Sequence, residues 1–228
     1  MTSATTRPLR PGDQAPSFAL PAVNRDGMVG MEDYRGKGAV LIGLFRGLHC
    51  PFCRRQVTQL GITRDKLERQ GVQTLAIVNT PAERARQYFQ YRPTRVLLAA
   101  DPDVQTHRAF GLPVLEIVPD NADPATLQWP QRITITPFLA MRFNPTGELP
   151  EPMNIPQAMD SLNQRDRFEF TEADQRIAAQ PPQLTGHFLI DSRGTIRWAR
   201  VEGEQGPTDL VSFPSDDAIM AAVEALPR

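Results

Sequence analysis

The stretch Gly38-Ala39-Val40-Leu41-Ile42-Gly43-Leu44-Phe45, followed a few residues later by Cys50-Pro51-Phe52-Cys53, decides how this chain is read. The first segment is short, apolar and rich enough in branched side chains to be a strand buried on both faces. From Pro51 through Arg54, Arg55, Leu60, Leu67 and Glu68 to Gly71 the spacing is helical, with a glycine stop. Cys50 is therefore predicted at a helix N-terminus. The unpaired backbone N–H groups and the positive end of the helix dipole favour a thiolate there, and such a setting brings a cysteine from about 8.5 to roughly 7 or below. Pro51 suits the first helical position, where its missing N–H loses no partner. Cys53, one turn further on the same face, is within disulfide reach and supplies the second thiol that thiol–disulfide exchange needs.

These are the only two cysteines of the 228 residues. Two alternatives stand beside the redox reading. A zinc site needs two more ligands at characteristic spacing, whereas His49, His107 and His187 are scattered singly, so no metal is expected. Two inert core thiols are the other alternative, but these explain neither Pro51 nor the strand-to-helix junction. His49, Arg46, Arg54 and Arg55 are expected to lend positive charge to the helix start, with a solvated helix face as the alternative for the last two and burial as a neutral residue for His49.

Composition narrows the function classes. Lysine plus arginine number 25 and aspartate plus glutamate 26, a formal charge of -1, which gives no footprint for nucleic acid or an anionic membrane. No stretch approaches the length of a membrane span, and Met1-Thr2-Ser3-Ala4-Thr5-Thr6-Arg7 lacks the apolar core of a secretory leader. The expected compartment is the cytoplasm, where a disulfide is more often catalytic than structural. Phosphate-binding glycine loops, a metalloprotease histidine pair and a serine nucleophile elbow are missing, and no cofactor is implied. The acidic pair Asp101 and Asp103 lacks the central glycine and terminal glutamate of a calcium loop and reads as a helix cap. The methionines and Trp198 are read as packing.

Further along, 72–79 is a second buried strand, 81–92 a helix opened by Pro81, 95–100 a strand, and a short helix ends at Phe110-Gly111, so the order is that of a parallel α/β sheet. The segments 186–191 and 195–201 form a hairpin around Ser192-Arg193-Gly194, and Pro214-Ser215-Asp216-Asp217 caps a last helix carrying Ile219, Met220, Val223 and Leu226. Between them, 113–182 holds many of the 22 prolines. It shows no repeat period, and the apolar run 133–143 reads as a strand, so this region is expected to be an ordered insertion within a single domain spanning 1–228. It leaves the sheet after 101–111 and returns just before Thr185-Gly186-His187, so it is expected to cover the redox site or a subunit interface, with an inert decoration on the far side as the alternative.

The element order resembles the thioredoxin fold, and several blocks resemble its AhpC/TSA (peroxiredoxin-like, redoxin) branch. These are Arg10-Pro11-Gly12-Asp13-Gln14-Ala15-Pro16-Ser17-Phe18-Ala19-Leu20-Pro21, then Asp33-Tyr34-Arg35-Gly36-Lys37, then Phe45-Arg46-Gly47-Leu48-His49-Cys50-Pro51-Phe52-Cys53. Two later blocks run from Asp101-Pro102-Asp103 to Ala109-Phe110-Gly111 and from Phe188-Leu189-Ile190-Asp191 to Gly194-Thr195-Ile196-Arg197. The resemblance implies a thioredoxin-like α/β fold with a central mixed sheet flanked by helices and an antioxidant or thiol-exchange activity. The implied partners are protein or small-molecule thiols and disulfides, a thioredoxin-like or glutathione-type reductant, a peroxide oxidant, and a second copy in a homodimer.

The chain departs from the family pattern at defined positions. Gly43 and Gly47 stand where peroxiredoxins carry a proline and a hydroxyl residue, and Thr185 stands where an arginine is expected. Thr185-Gly186-His187 has no counterpart of the thioredoxin cis-proline, and His49 replaces a common tryptophan. Peroxide reduction needs donors for the charge growing on the leaving oxygen, which Arg46 and backbone N–H groups supply only in part without the hydroxyl. Thiol–disulfide exchange asks for less and is the favoured reading, with Cys50 as nucleophile and Cys53 as resolving thiol. Peroxide or organic hydroperoxide reduction is the second reading, and a non-catalytic binding protein on the same scaffold is the third. Arg46, Gly47, His49, Pro51, Thr185 and Gly186 are the supporting candidates.

Overall fold

The computed structural model describes residues 7–227. The leader segment read above, Met1 to Arg7, lies outside the described part except for Arg7. Ala39–Phe45 (β3) lies at the centre of a five-stranded sheet. Val72–Val78 (β4) pairs with it in parallel, and Leu97–Ala100 (β5) extends the sheet in parallel beyond β4. On its other edge β3 pairs antiparallel with Gly186–Ile190 (β8), and Ile196–Val201 (β9) closes that side of the sheet. A separate hairpin of Ala19–Pro21 (β1) and Met28–Gly30 (β2) precedes the sheet.

Alternation explains why β3 carries no polar side chain. Val40, Ile42 and Leu44 face one apolar cluster, and Leu41 and Phe45 face the other. The period of two puts successive side chains on opposite faces, and both faces are covered. The first cluster includes Leu9, Phe110 and Phe188, whereas the second is built with the helix Pro51–Arg69 (α1) and also contains both cysteines. The α1 helix is the crossover between the parallel strands β3 and β4, and Gly71 ends the turn after it at a φ of 73°, where an L side chain is strained.

Past β4, Ala82–Gln90 (α2) and Gln105–Ala109 (α3) follow in order, and the Asp101 carboxylate accepts hydrogen bonds from the Gln105 and Thr106 N–H groups. Residues 113–182 leave and rejoin the body at a hydrogen-bonded neck. Leu115 N–H donates to Pro182 O, Leu184 N–H donates to Pro113 O, and the Gln183 amide donates to the Pro113 carbonyl. Within this segment, Glu116–Val118 (β6) pairs in parallel with Arg132–Thr134 (β7), and the helices Ile135–Ala140 (α4), Ile155–Arg165 (α5) and Glu172–Ala178 (α6) follow.

The strand expected over 133–143 is corrected here: only 132–134 is extended, and the chain turns helical at Ile135. The Asp120 carboxylate accepts from both the N–H and the hydroxyl of Thr136, satisfying the start of α4. Pro137 falls in the first turn, where its missing N–H costs no helical bond. The apolar run therefore holds a short strand and a helix, with Phe138 and Phe143 as its buried side chains. Asp216–Glu224 (α7), capped by Ser215, completes the chain. Among the described residues no helix is long and apolar enough to cross a membrane.

Candidate active site

Cys50 occupies the N-cap of α1, with Pro51 at the first helical position. Its Sγ accepts a hydrogen bond from the Cys53 N–H at 3.3 Å, one of the helix-start donors that would otherwise have no partner. Both cysteines are free and buried, at 1% and 2% exposure. Neither thiol therefore stands out by its exposure to solvent. What distinguishes Cys50 is a cavity of about 440 Å³ that it lines and Cys53 does not.

Arg46, at the end of β3, reaches back over the helix start. Its Nη1 lies 3.9 Å from Cys50 Sγ and 4.0 Å from Cys53 Sγ, and its Nη2 donates to both carboxylate oxygens of Glu202 at 2.6 Å. The Glu202 side chain is fully buried and is also held by the Thr185 N–H, the Thr185 hydroxyl and the Val211 N–H. Burial works against the charge on Arg46, but Glu202 and the two sulfurs beside it outweigh burial and raise its pKa.

The two thiols are pushed apart in acidity. Burial pushes the Cys50 thiol up, yet the Cys53 thiol as donor, the Arg46 charge and the Cys53 N–H together bring it down to about 6. Cys53 is pushed well above the ordinary range, first by burial and then by the neighbouring Cys50. One sulfur is ionised at neutral pH and the other keeps its proton, the division of labour expected of attacking and resolving thiols.

The other sequence candidates sort themselves by position. His49 is 8% exposed, and burial followed by the Arg46 charge lowers its pKa to about 4, so it carries no charge at neutral pH. The expectation that it would help ionise Cys50 is corrected on that ground. Arg54 and Arg55 also turn away from the sulfur. Arg54 donates to Leu48 O, Asn163 Oδ1 and Asp166 Oδ2, and Arg55 is shared between Glu148 and Asp166. Neither lies on the solvated helix face that was their alternative: Arg54 is 5% exposed, and both tie α1 to the 113–182 segment.

Gly47 has a steric reason. A Cβ there would meet Asn79 O at 2.3 Å and the Thr80 hydroxyl at 3.0 Å, so the space that a hydroxyl-bearing side chain would need is already taken. Thr185 meets the site through Glu202, and Gly186 begins β8 beside Leu44, close against Leu112 and Phe188. Sequence reasoning missed Glu202 and Asp166. Glu202 follows an ordinary hairpin strand, and only the alignment of that strand with the start of β8 brings its carboxylate to Arg46.

The walls of the cavity come largely from the 113–182 segment: Leu115, Phe138, Ile155, Met159, Phe170 and Ile177 face it, opposite Cys50, Arg46 and Leu210. Asn163 on α5 donates to His49 O, so the same segment also holds the loop that leads into Cys50.

A mixed five-stranded sheet with a dithiol at the start of the helix after its central strand defines a thioredoxin-like protein. The fold is shared with peroxidoxin BcpB from Mycobacterium tuberculosis (TM-score 0.56, 12% identity, covering 96% of this chain and 99% of that one). It is also shared with the reduced 2-Cys peroxiredoxin of Plasmodium vivax (TM-score 0.57, 15% identity, covering 96% and 82%). The family model of the AhpC/TSA family matches residues 11–142, and the chain belongs to that family. Peroxiredoxin Bcp of Escherichia coli (strain K12) is 31% identical over 106 residues, which is 46% of this chain and 66% of that protein. The chain thus spans just under two thirds of the length of that curated relative.

Proposed function

We propose that this protein is a thiol-dependent oxidoreductase of the AhpC/TSA family in which Cys50 attacks the oxidant and Cys53 resolves the product into a Cys50–Cys53 disulfide. The observation that carries this reading is Cys50 at the helix N-cap, 3.9 Å from the Arg46 guanidinium, with Cys53 one turn along donating its N–H to the same sulfur. With a disulfide substrate, the Cys50 thiolate bonds to one sulfur and expels the other as a thiolate. Cys53, giving up its proton, then attacks Cys50 Sγ and releases the second thiol. The protein loses two electrons, the substrate gains them, and an external thiol reductant restores the dithiol.

Disulfide exchange is the favoured form of the reaction, because Gly47 brings no hydroxyl of its own to the leaving oxygen and a side chain there would run into the Asn79 carbonyl. Hydroperoxide reduction is the second reading, supported by Arg46 as a charged donor beside the sulfur and by the peroxiredoxin names of the relatives. There the thiolate takes the distal oxygen as a sulfenic acid, the alcohol or water leaves, and condensation with Cys53 expels water. Residues 113–182 act, in this proposal, as an insertion within one domain that limits access to Cys50. A stopped-flow comparison of the reduced protein with hydrogen peroxide and with a small model disulfide tests the reading. Rapid loss of both thiols, with the disulfide favoured relative to a free thiol, is expected; thiols that survive both oxidants would leave only a binding scaffold.

A further inference from the structure

Cys50 is reached through a chamber whose character is set by residues outside the two cysteines. The volume of about 440 Å³ lies within the ~300–1,000 Å³ of small-molecule sites and is far more than hydrogen peroxide needs. Along the 113–182 side the chamber is faced by Leu115, Phe138, Ile155, Met159, Phe170 and Ile177. Phe170 is 41% exposed and Ile117 36%, large apolar surfaces left open on the chamber lining rather than folded into the core. Open apolar side chains gathered at one concavity mark a place where an apolar body is received.

The charges around the chamber reinforce the point. The Arg46 guanidinium is committed to Glu202 on one side and the sulfurs on the other, and Arg54 is committed to Asp166. The remaining charged group on the lining is Asp160, an exposed carboxylate on α5. His49 is neutral there. A substrate carrying carboxylates would leave water for an apolar surface, meet Asp160, and find the guanidinium beside the sulfur, Arg46, already paired with Glu202.

Resting on the thiol-oxidoreductase reading above, we infer that the chamber built by 113–182 selects an uncharged substrate in which the reacting S–S or O–O bond is carried on an apolar alkyl or aryl body, and that Met159 and Phe170 are specificity-determining residues. The apolar body lies along Phe138, Met159 and Phe170 and presents its reactive bond to Cys50 Sγ. The bond changes are those given above: the substrate leaves as two thiols, or as an alcohol and water, and the pair of cysteines as a disulfide.

The experiment follows Cys50 oxidation in the full-length reduced protein with paired reagents. Dithiodipyridine is the uncharged aryl disulfide and dithiobis-nitrobenzoate its dicarboxylate counterpart; cumene hydroperoxide and hydrogen peroxide form the second pair and separate an O–O from an S–S substrate. Each rate is divided by that of N-acetylcysteine with the same reagent. The uncharged disulfide is expected to be favoured over the dicarboxylate by about tenfold or more, the scale on which a shaped apolar pocket discriminates. The hydroperoxide pair reports which bond type gains from the chamber. Phe170→Gln, at a position already open to solvent, and Met159→Gln remove the apolar contact without adding charge, and should each collapse the preference towards the N-acetylcysteine ratio. Equal normalised rates in the wild type, or a preference unchanged in both variants, would overturn the inference while leaving the redox function in place. Failure of every reagent to oxidise Cys50 would remove both.

Discussion

A single guanidinium joins Arg46 to Glu202 and to both cysteines: Nη2 contacts the two carboxylate oxygens at 2.6 Å while Nη1 sits 3.9 Å from Cys50 Sγ and 4.0 Å from Cys53 Sγ. Glu202 has a direct effect of its own, disfavouring the Cys50 thiolate. Its value to the site lies in holding Arg46, whose side chain is 10% exposed, in one place. A buried cation needs such a partner, and the partner in turn is fixed by Thr185 and Val211.

Replacing Arg46 with alanine should raise the Cys50 pKa from about 6 towards the ordinary cysteine range. The sign is that of a depressed acid: thiolate reactivity is present above pH 6 and lost as the pH falls through it, and loss of Arg46 moves that edge upward. Ultraviolet thiolate absorbance against pH reads the shift directly. The same change strands the Glu202 carboxylate, at a cost of about 3–5 kcal/mol, so the urea midpoint of Arg46→Ala should drop as well. An unshifted thiolate titration would take Arg46 out of the mechanism.

His49 makes the contrasting case. With its pKa lowered to about 4 by burial and by Arg46, it is neutral wherever Cys50 titrates. The Cys50 titration of His49→Ala should therefore overlay the wild type between pH 5 and 8, to within about half a unit. A clear upward shift would mean that the imidazole is charged in solution.

Replacing Cys53 with serine removes the thiol proposed to resolve the oxidised Cys50. After one equivalent of oxidant, mass spectrometry should find a mixed disulfide or a sulfenic acid on Cys50, because the low-pKa sulfur on the cavity attacks first. Replacing Cys50 instead removes the part of the raised Cys53 pKa that Cys50 causes, but burial, the largest cause, remains and Cys53 does not line the cavity, so Cys53 should be modified much more slowly than Cys50 is in Cys53→Ser. A trapped adduct on Cys53 would reverse the assignment.

Much of this centre is local in the chain and was therefore legible in it. The strand 39–45, the cysteine at the helix start and Pro51 lie within a few residues of one another, so apolar patterning and capping chemistry place them. The hairpin after Thr185 and the Ser215 cap were readable for the same reason. Glu202 was not, because it stands 156 positions from Arg46 and meets it only once β8 and β9 have paired. The same holds for Asn163 and Asp166, which lie 109 and 112 positions from Arg54. His49 and Arg54 were read as charges near the helix start; burial neutralised one and a distant carboxylate engaged the other. The run 133–143 misled because its β-branched residues Ile135 and Thr136 open a helix instead of extending the strand, and Asp120, which caps that helix, comes from another turn of the chain.

Gly47 offers a way to ask whether this scaffold accepts the hydroxyl that other family members carry. A serine Cβ would stand 2.3 Å from the Asn79 carbonyl, a backbone atom that cannot swing aside. Gly47→Ser should therefore cost about 1–3 kcal/mol and lower the thermal midpoint without raising the rate with hydrogen peroxide. A stable variant with faster peroxide turnover would show that the loop yields and that a missing hydroxyl had been the limit.

Asp166 is the point at which 113–182 grips the active-site helix. Its carboxylate accepts from Arg54 Nη2 at 2.5 Å and from both terminal nitrogens of Arg55, and it sits at the end of α5, whose residues Ile155 and Met159 wall the cavity. Removing it in Asp166→Ala leaves Arg54 its bonds to Leu48 O and Asn163 and leaves Arg55 its bond to Glu148, so the fold should survive. The expected cost is about 1–3 kcal/mol, below that of a fully buried pair because the carboxylate keeps 24% exposure. Loosening α5 widens the way to Cys50 without touching the sulfur. Alkylation of Cys50 by a bulky maleimide should then accelerate several-fold more than alkylation by iodoacetamide, since the small reagent is the less obstructed of the two. Equal acceleration would mean that Asp166 acts on the thiol itself, and no acceleration in a folded, destabilised variant would mean that 113–182 does not guard the site.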